Sequence, residues 1–139
     1  MNWIDEEKVM AKTKWSGQKQ AWDGFVYVIK IHTVSKTVMK IGTTNRTVKT
    51  RVLEIAGELM EIIGHIPKIE LLRQKQTKDN YKIEAQVLNE TQKHRCNLGL
   101  GEWAGESELR DMNEQELLTV YDRAIMEGFM PTKKFEVEL

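Results

Sequence analysis

Between Gly24 and Ile41 the chain alternates sides with a period of two. Phe25, Tyr27, Ile29 and Ile31 share one face of an extended run, and Val26, Val28 and Lys30 share the other. After the polar bridge His32 to Lys36, a second run over Thr37–Ile41 places Val38 and Lys40 opposite Met39 and Ile41. Both runs are rich in β-branched residues and apolar on both faces for most of their length. They predict a hairpin at the centre of a sheet covered on two sides. The period then changes. From Thr47 to Ile63, Val48, Val52, Ile55, Leu59 and Ile62 recur at threes and fours, the spacing of an amphipathic helix with Thr47 among its candidate caps. Gly64 and Pro67 end it.

A third strand is predicted over Ile66–Gln76, leaving the core through the basic residues Arg73, Lys75 and Lys78. Asp79 or Asn80 caps a second helix reaching about Arg95, with Ile83, Val87 and Leu88 as its apolar positions. A glycine-rich loop, Asn97 to Trp103, follows, then a short strand within Ser107–Met112. A last helix spans Glu114–Glu127, with Asn113 and Glu116 in the spacing of an incomplete capping box and Gly128 as its stop. Residues 4–22 are weakly helical, with Ser16-Gly17 as a break. Three of the four tryptophans (Trp3, Trp15, Trp22) sit in or beside that segment, and Trp15 and Trp22 would share a helix face. This arm either packs on the domain or contacts a partner or a second copy. The expected organisation is an arm over 1–23, a domain over 24–112, and a C-terminal helix and tail over 113–139 packed on that domain.

At 139 residues and 40% hydrophobic, the chain can bury a core of its own. No apolar run approaches a membrane span, and the N-terminal residues lack a signal peptide's apolar stretch. One cysteine, Cys96, cannot form an internal disulfide, which fits a reducing, cytoplasmic setting. The net charge of zero conceals a segregation. Residues 30–95 carry 13 Lys/Arg against 7 Asp/Glu, whereas residues 96–139 carry 4 against 10. A basic middle fits a polyanionic partner, and equally fits solvated helix faces.

Two charged residues stand out within the helices. Arg51 borders the buried stripe of the first helix, where a guanidinium needs an anionic partner or a cleft. Glu84 lies beside Val87 and Leu88 on the apolar side of the second helix, where an unpaired carboxylate is unusual. The three histidines show no zinc-ligand spacing, and the glycines form no nucleotide fingerprint.

These residues fall into a known order. Val26-Tyr27-Val28, Lys40-Ile41-Gly42 with Arg51 nine residues on, Glu84 in a later helix, and the closing Gly101-Glu102-Trp103 together resemble the GIY-YIG nuclease superfamily. They are most similar to a small phage and bacterial branch whose second motif reads Lys-Ile-Gly. The resemblance covers roughly Gly24 to Trp103. It implies an α/β (α+β) fold with a small central three-stranded antiparallel sheet flanked by helices. The implied activity is cleavage of a nucleic-acid phosphodiester, DNA more than RNA, with one Mg2+ or Mn2+. Arg51 would then stabilise the charge on the phosphate, and Glu84, with Glu90 as the alternative, would bind the metal. Tyr27 would orient or deprotonate the attacking water. Lys40 stands where the superfamily has a second tyrosine. It would serve either as a base or as a point charge on the phosphate. Arg46, Lys49, Arg73 and Lys75 are candidate contacts to the nucleic-acid backbone. Besides an endonuclease, the pattern admits a non-catalytic nucleic-acid-binding module and a protein-binding effector or inhibitor acting through the tryptophan arm and the acidic C-terminal half.

Overall fold

The computed structural model describes residues 23–98 and 106–129. The tryptophan-bearing arm, the glycine-rich loop from Gly99 through Trp103 and the tail from Pro131 lie outside the described residues. Strands β1 (Gly24–His32) and β2 (Thr37–Thr44) form the predicted hairpin, paired from Phe25–Thr44 to His32–Thr37. Its turn is closed locally: Thr33 N–H donates to Lys36 O at 2.8 Å, and the Thr33 hydroxyl both donates to Lys36 O and accepts from Lys36 N–H. Helix α1 (Val48–Ile63) starts as its sequence predicts, with the Thr47 hydroxyl accepting from Thr50 N–H at 3.2 Å. It stops at Gly64, whose φ of 79° lets the chain turn left-handed at no side-chain cost.

Strand β3 (Lys68–Thr77) pairs antiparallel with β1 across a register shift at Val28/Ile29. Helix α2 (Asn80–Glu90) ends earlier than the expected Arg95. The Thr91 hydroxyl turns back onto Val87 O at 2.8 Å, and a 3₁₀ turn over Gln92–His94 follows. A second 3₁₀ turn, Glu106–Glu108, leads into β4 (Leu109–Arg110). Helix α3 (Glu114–Phe129) is capped by Asn113, whose side-chain oxygen accepts from Glu116 N–H at 3.1 Å. It continues through Gly128, which does not stop it.

The sheet has four strands in the order β3-β1-β2-β4, one more than expected. The addition is the short segment predicted within Ser107–Met112, which pairs with Met39 and Lys40 of β2. Both faces of the sheet are covered. On one, Tyr27, Ile29, Ile31 and Val38 meet Val48, Val52, Ile55 and Leu59 of α1. On the other, Val26, Val28, Met39 and Ile41 meet Ile83 and Val87 of α2 and Leu117, Tyr121 and Ala124 of α3. The Tyr121 hydroxyl donates to Val26 O at 2.8 Å, tying α3 to the middle of the sheet.

The two charge domains of the sequence are folded against each other. Lys30 pairs with Glu114, Lys36 with Asp111, Lys40 with Glu108 and Arg73 with Asp122. Four of the thirteen cations of the basic middle are thus paired with acids of the C-terminal segment. No helix among the described residues is long and apolar enough to cross a membrane.

Candidate functional site

β4 is only two residues long, so β2 loses its outer partner beyond Lys40. Ile41–Thr44 have no strand partner on that side among the described residues, though Ile41, Gly42 and Thr44 are buried. Groups from both sides of the sheet converge there. Tyr27 comes from β1, opposite Gly42 on β2. Its phenol lies across the glycine: a Cβ on Gly42 would sit 2.3 Å from the Tyr27 hydroxyl and 2.9 Å from Lys40 Nζ. The Gly at the end of Lys-Ile-Gly is therefore needed for space, since its φ is not positive. Tyr27 is wholly buried, and its hydroxyl has no hydrogen-bond partner. Burial raises its pKa, against the opposing charges of Lys40 and Arg51, so it is held as a neutral phenol.

Lys40 is 1% exposed, an unusual place for an ammonium. Its Nζ donates to Glu108 Oε1 at 2.5 Å and sits 5.5 Å from the centre of the Tyr27 ring. Glu108 is the functional candidate that sequence reasoning missed. It lies in a 3₁₀ turn just before a two-residue strand, too short a context for any periodicity to single it out. Glu84 reaches the same edge from α2. Its Oε2 is buried without a partner, and its carboxyl is pushed up to about 7. Burial is the main cause, followed by the charge of the neighbouring Glu108 and a proton shared with it; Lys40 opposes the shift. One helical turn earlier, Asn80 is also buried with its Nδ2 unpartnered.

The turn that carries Glu108 is fastened to the helix that carries Glu84. Arg110 is buried, and no carboxylate holds it among the described residues. Its guanidinium donates to the Thr91 hydroxyl at 2.9 Å, to Leu88 O at 3.2 Å, to Ser107 O at 3.1 Å and to Leu109 O at 2.8 Å. The first two acceptors belong to the C-terminal end of α2, and the last two to the Glu108 turn and β4.

Arg51 stands in the first turn of α1, near enough for its charge to act on Tyr27. Its partner is Glu54, at 3.1 Å. Arg46 grips the same carboxylate with both terminal nitrogens, at 2.6 and 2.7 Å. The two guanidiniums thus converge on one planar anion at the rim of the site, and they hold the Glu54 pKa low. Lys49 is half-buried in the same helical turn. Arg73 and Lys75 are elsewhere: they lie on β3, the opposite edge strand, and Arg73 bonds Asp122 of α3. Glu90, the alternative acidic residue, pairs with Arg123 away from this edge.

Tyr27, Lys40, Arg51 and Glu84 are brought together; Arg46 and Lys49 flank them; Arg73 and Lys75 do not join them. Residues 24–125 match the family model of the T5orf172 domain. The chain belongs to the T5orf172 domain family. No curated protein and no solved structure matches it. The T5orf172 match reaches well into α3, the helix that closes the second face of the sheet, and it includes Glu108 and Arg110.

The site's donors fit a hard cation. A buried carboxylate oxygen without a partner, pressed against a second carboxylate, is relieved by positive charge from an oxygen-preferring ion. Among the described residues no three His, Cys, Asp or Glu side chains cluster as a metal cage, so such an ion would keep most of its waters. An apolar cleft of about 290 Å³ between α1 and β3, walled by Val52, Ala56, Pro67 and Ile69, contains none of these groups.

Proposed function

We propose that the protein is a metal-dependent endonuclease of the GIY-YIG type, hydrolysing nucleic-acid phosphodiester bonds, with DNA the preferred substrate. The observation that carries this reading is the unpartnered, buried Glu84 oxygen in one cluster with Tyr27, Lys40 and Arg51. Glu84 would hold a Mg2+ or Mn2+ ion, which when bound supplies positive charge at the leaving oxygen. The chain's own groups do the rest. Arg51 and Arg46 exchange the Glu54 carboxylate for the phosphate, whose two non-bridging oxygens suit the same fork. Lys40, buried and ion-paired, holds the Glu108 carboxylate in place beside the site. Tyr27, neutral and buried, orients the attacking water by hydrogen bonding and does not deprotonate it.

The test is nicking of supercoiled plasmid with Mg2+ or Mn2+ and with EDTA, beside Glu84→Gln and Arg51→Ala. Metal-dependent nicking that either variant abolishes, with both variants melting as the wild type does, supports the reading. Failure of the wild type on plasmid, single strands, branched DNA and RNA ends it. The Lys40–Glu108 ion pair favours one competitor, a binding module that has lost its base. That module would bind nucleic acid with a steep salt dependence and never cut.

A further inference from the structure

In the reading above Glu108 serves only as the counter-ion of Lys40. We propose that Glu108 is a second protein ligand of the divalent ion, which binds between the Glu84 and Glu108 carboxylates at the edge of β2 beyond Lys40. The proposal rests on the site being metal-dependent.

Four observations carry it. First, the fold fastens two carboxylates together. Arg110 spends its guanidinium on backbone and hydroxyl acceptors of α2 and of the Glu108 turn. This fixes the two acids against each other, although like charges repel. Second, Lys40 pairs with Glu108 through Oε1, while Glu84 contributes a buried Oε2 without a partner. Third, the Tyr27 hydroxyl, wholly buried and without a hydrogen-bond partner, lies beside Lys40 against Gly42, so a further oxygen donor stands next to the pair. Fourth, charge requires a cation. Only a cation lets both carboxylates ionise side by side; with Lys40 they then sum to one negative charge, and a dication reverses the sign. Two carboxylate oxygens and water satisfy the coordination such an ion takes.

The experiment is a Mn2+ titration of the intact chain followed by electron paramagnetic resonance, on the wild type, Glu108→Gln, Glu84→Gln and Glu108→Asp, with thermal melts as the folding control. The wild type is expected to bind one Mn2+. Both Gln variants should weaken it by about tenfold or more, because each removes a charged ligand. Glu108→Asp keeps the charge and should fall between, and it stands in should Glu108→Gln fail to fold. Wild-type affinity in Glu108→Gln, or no binding by the wild type at millimolar Mn2+, overturns the proposal. The two readings fail separately. Mn2+ binding that needs both carboxylates in a protein that cuts nothing leaves the ion site and removes the nuclease. Cleavage by Glu108→Gln at unchanged Mn2+ dependence keeps the nuclease and removes Glu108 as a ligand.

Discussion

Glu84 stands beside Ile83 and Val87 on α2, and the fold makes it hold a proton that it would lose in water. Its carboxyl is raised to about 7 in the folded chain against 4.5 ordinarily. Between those values the folded state binds the extra proton. Stability from this group is therefore complete below about 4.5 and is lost as pH rises through about 7. Glu84→Gln removes the titration. Melting temperatures recorded across that window should fall with pH in the wild type relative to the variant. Parallel curves would mean that Glu84 does not titrate there. Gly42 is the other decisive single residue. In Gly42→Ala the new methyl meets the ring end of Tyr27, which is packed in a core and cannot swing aside. A cost of about 1–3 kcal/mol in urea unfolding is expected, together with loss of any cleavage. An unchanged midpoint would show that Tyr27 has room the geometry denies it. Arg51 and Glu84 are legible in the sequence as charges on apolar helix stripes, and Lys40 through the Lys-Ile-Gly motif. Glu108 was not, since its importance comes from contacts 68 residues away with Lys40 and across to α2.

At the scale of elements, periodicity was a reliable guide wherever an element is long. The hairpin, α1, β3 and α3 follow from it, as do the Thr47 and Asn113 caps. It failed where tertiary contacts decide. α2 stops at Glu90 because Thr91 and Arg110 consume its terminal acceptors, a bond pattern no local spacing encodes. β4 is a strand only by virtue of Met39 and Lys40. Arg73 and Lys75 looked like part of a basic surface, but strand order puts β1 and β2 between them and β4. Arg110 is the element-level tie. Replacing it with Met keeps much of the volume and strands several buried acceptors, so Arg110→Met should cost about 2–4 kcal/mol. Amide exchange should quicken at the end of α2 and in β4 before the rest of the sheet opens. Wild-type protection there would show that the guanidinium is not what joins them.

The whole molecule depends on α3 as much as on the hairpin. Without it, Val26, Val28, Met39 and Ile41 would be left with only α2 over them. A chain ending after Asn113 should therefore lose its cooperative thermal transition and bind hydrophobic dyes. A sharp melt near that of the full chain would place α3 outside the folding unit. The same helix carries Glu114 and Asp122, two of the acids that pair with the basic middle.

That arrangement has a consequence in time. A ribosome delivers β1 well before α3, and the hydroxyl that locks onto Val26 O belongs to a residue made 95 positions later. Through most of synthesis the hairpin waits with one greasy face bare, beside cations whose counter-charges do not yet exist. Until α3 is made, the nascent chain thus shows apolar and positively charged surface that the folded molecule covers. Both are covered together, when the acidic helix α3 docks.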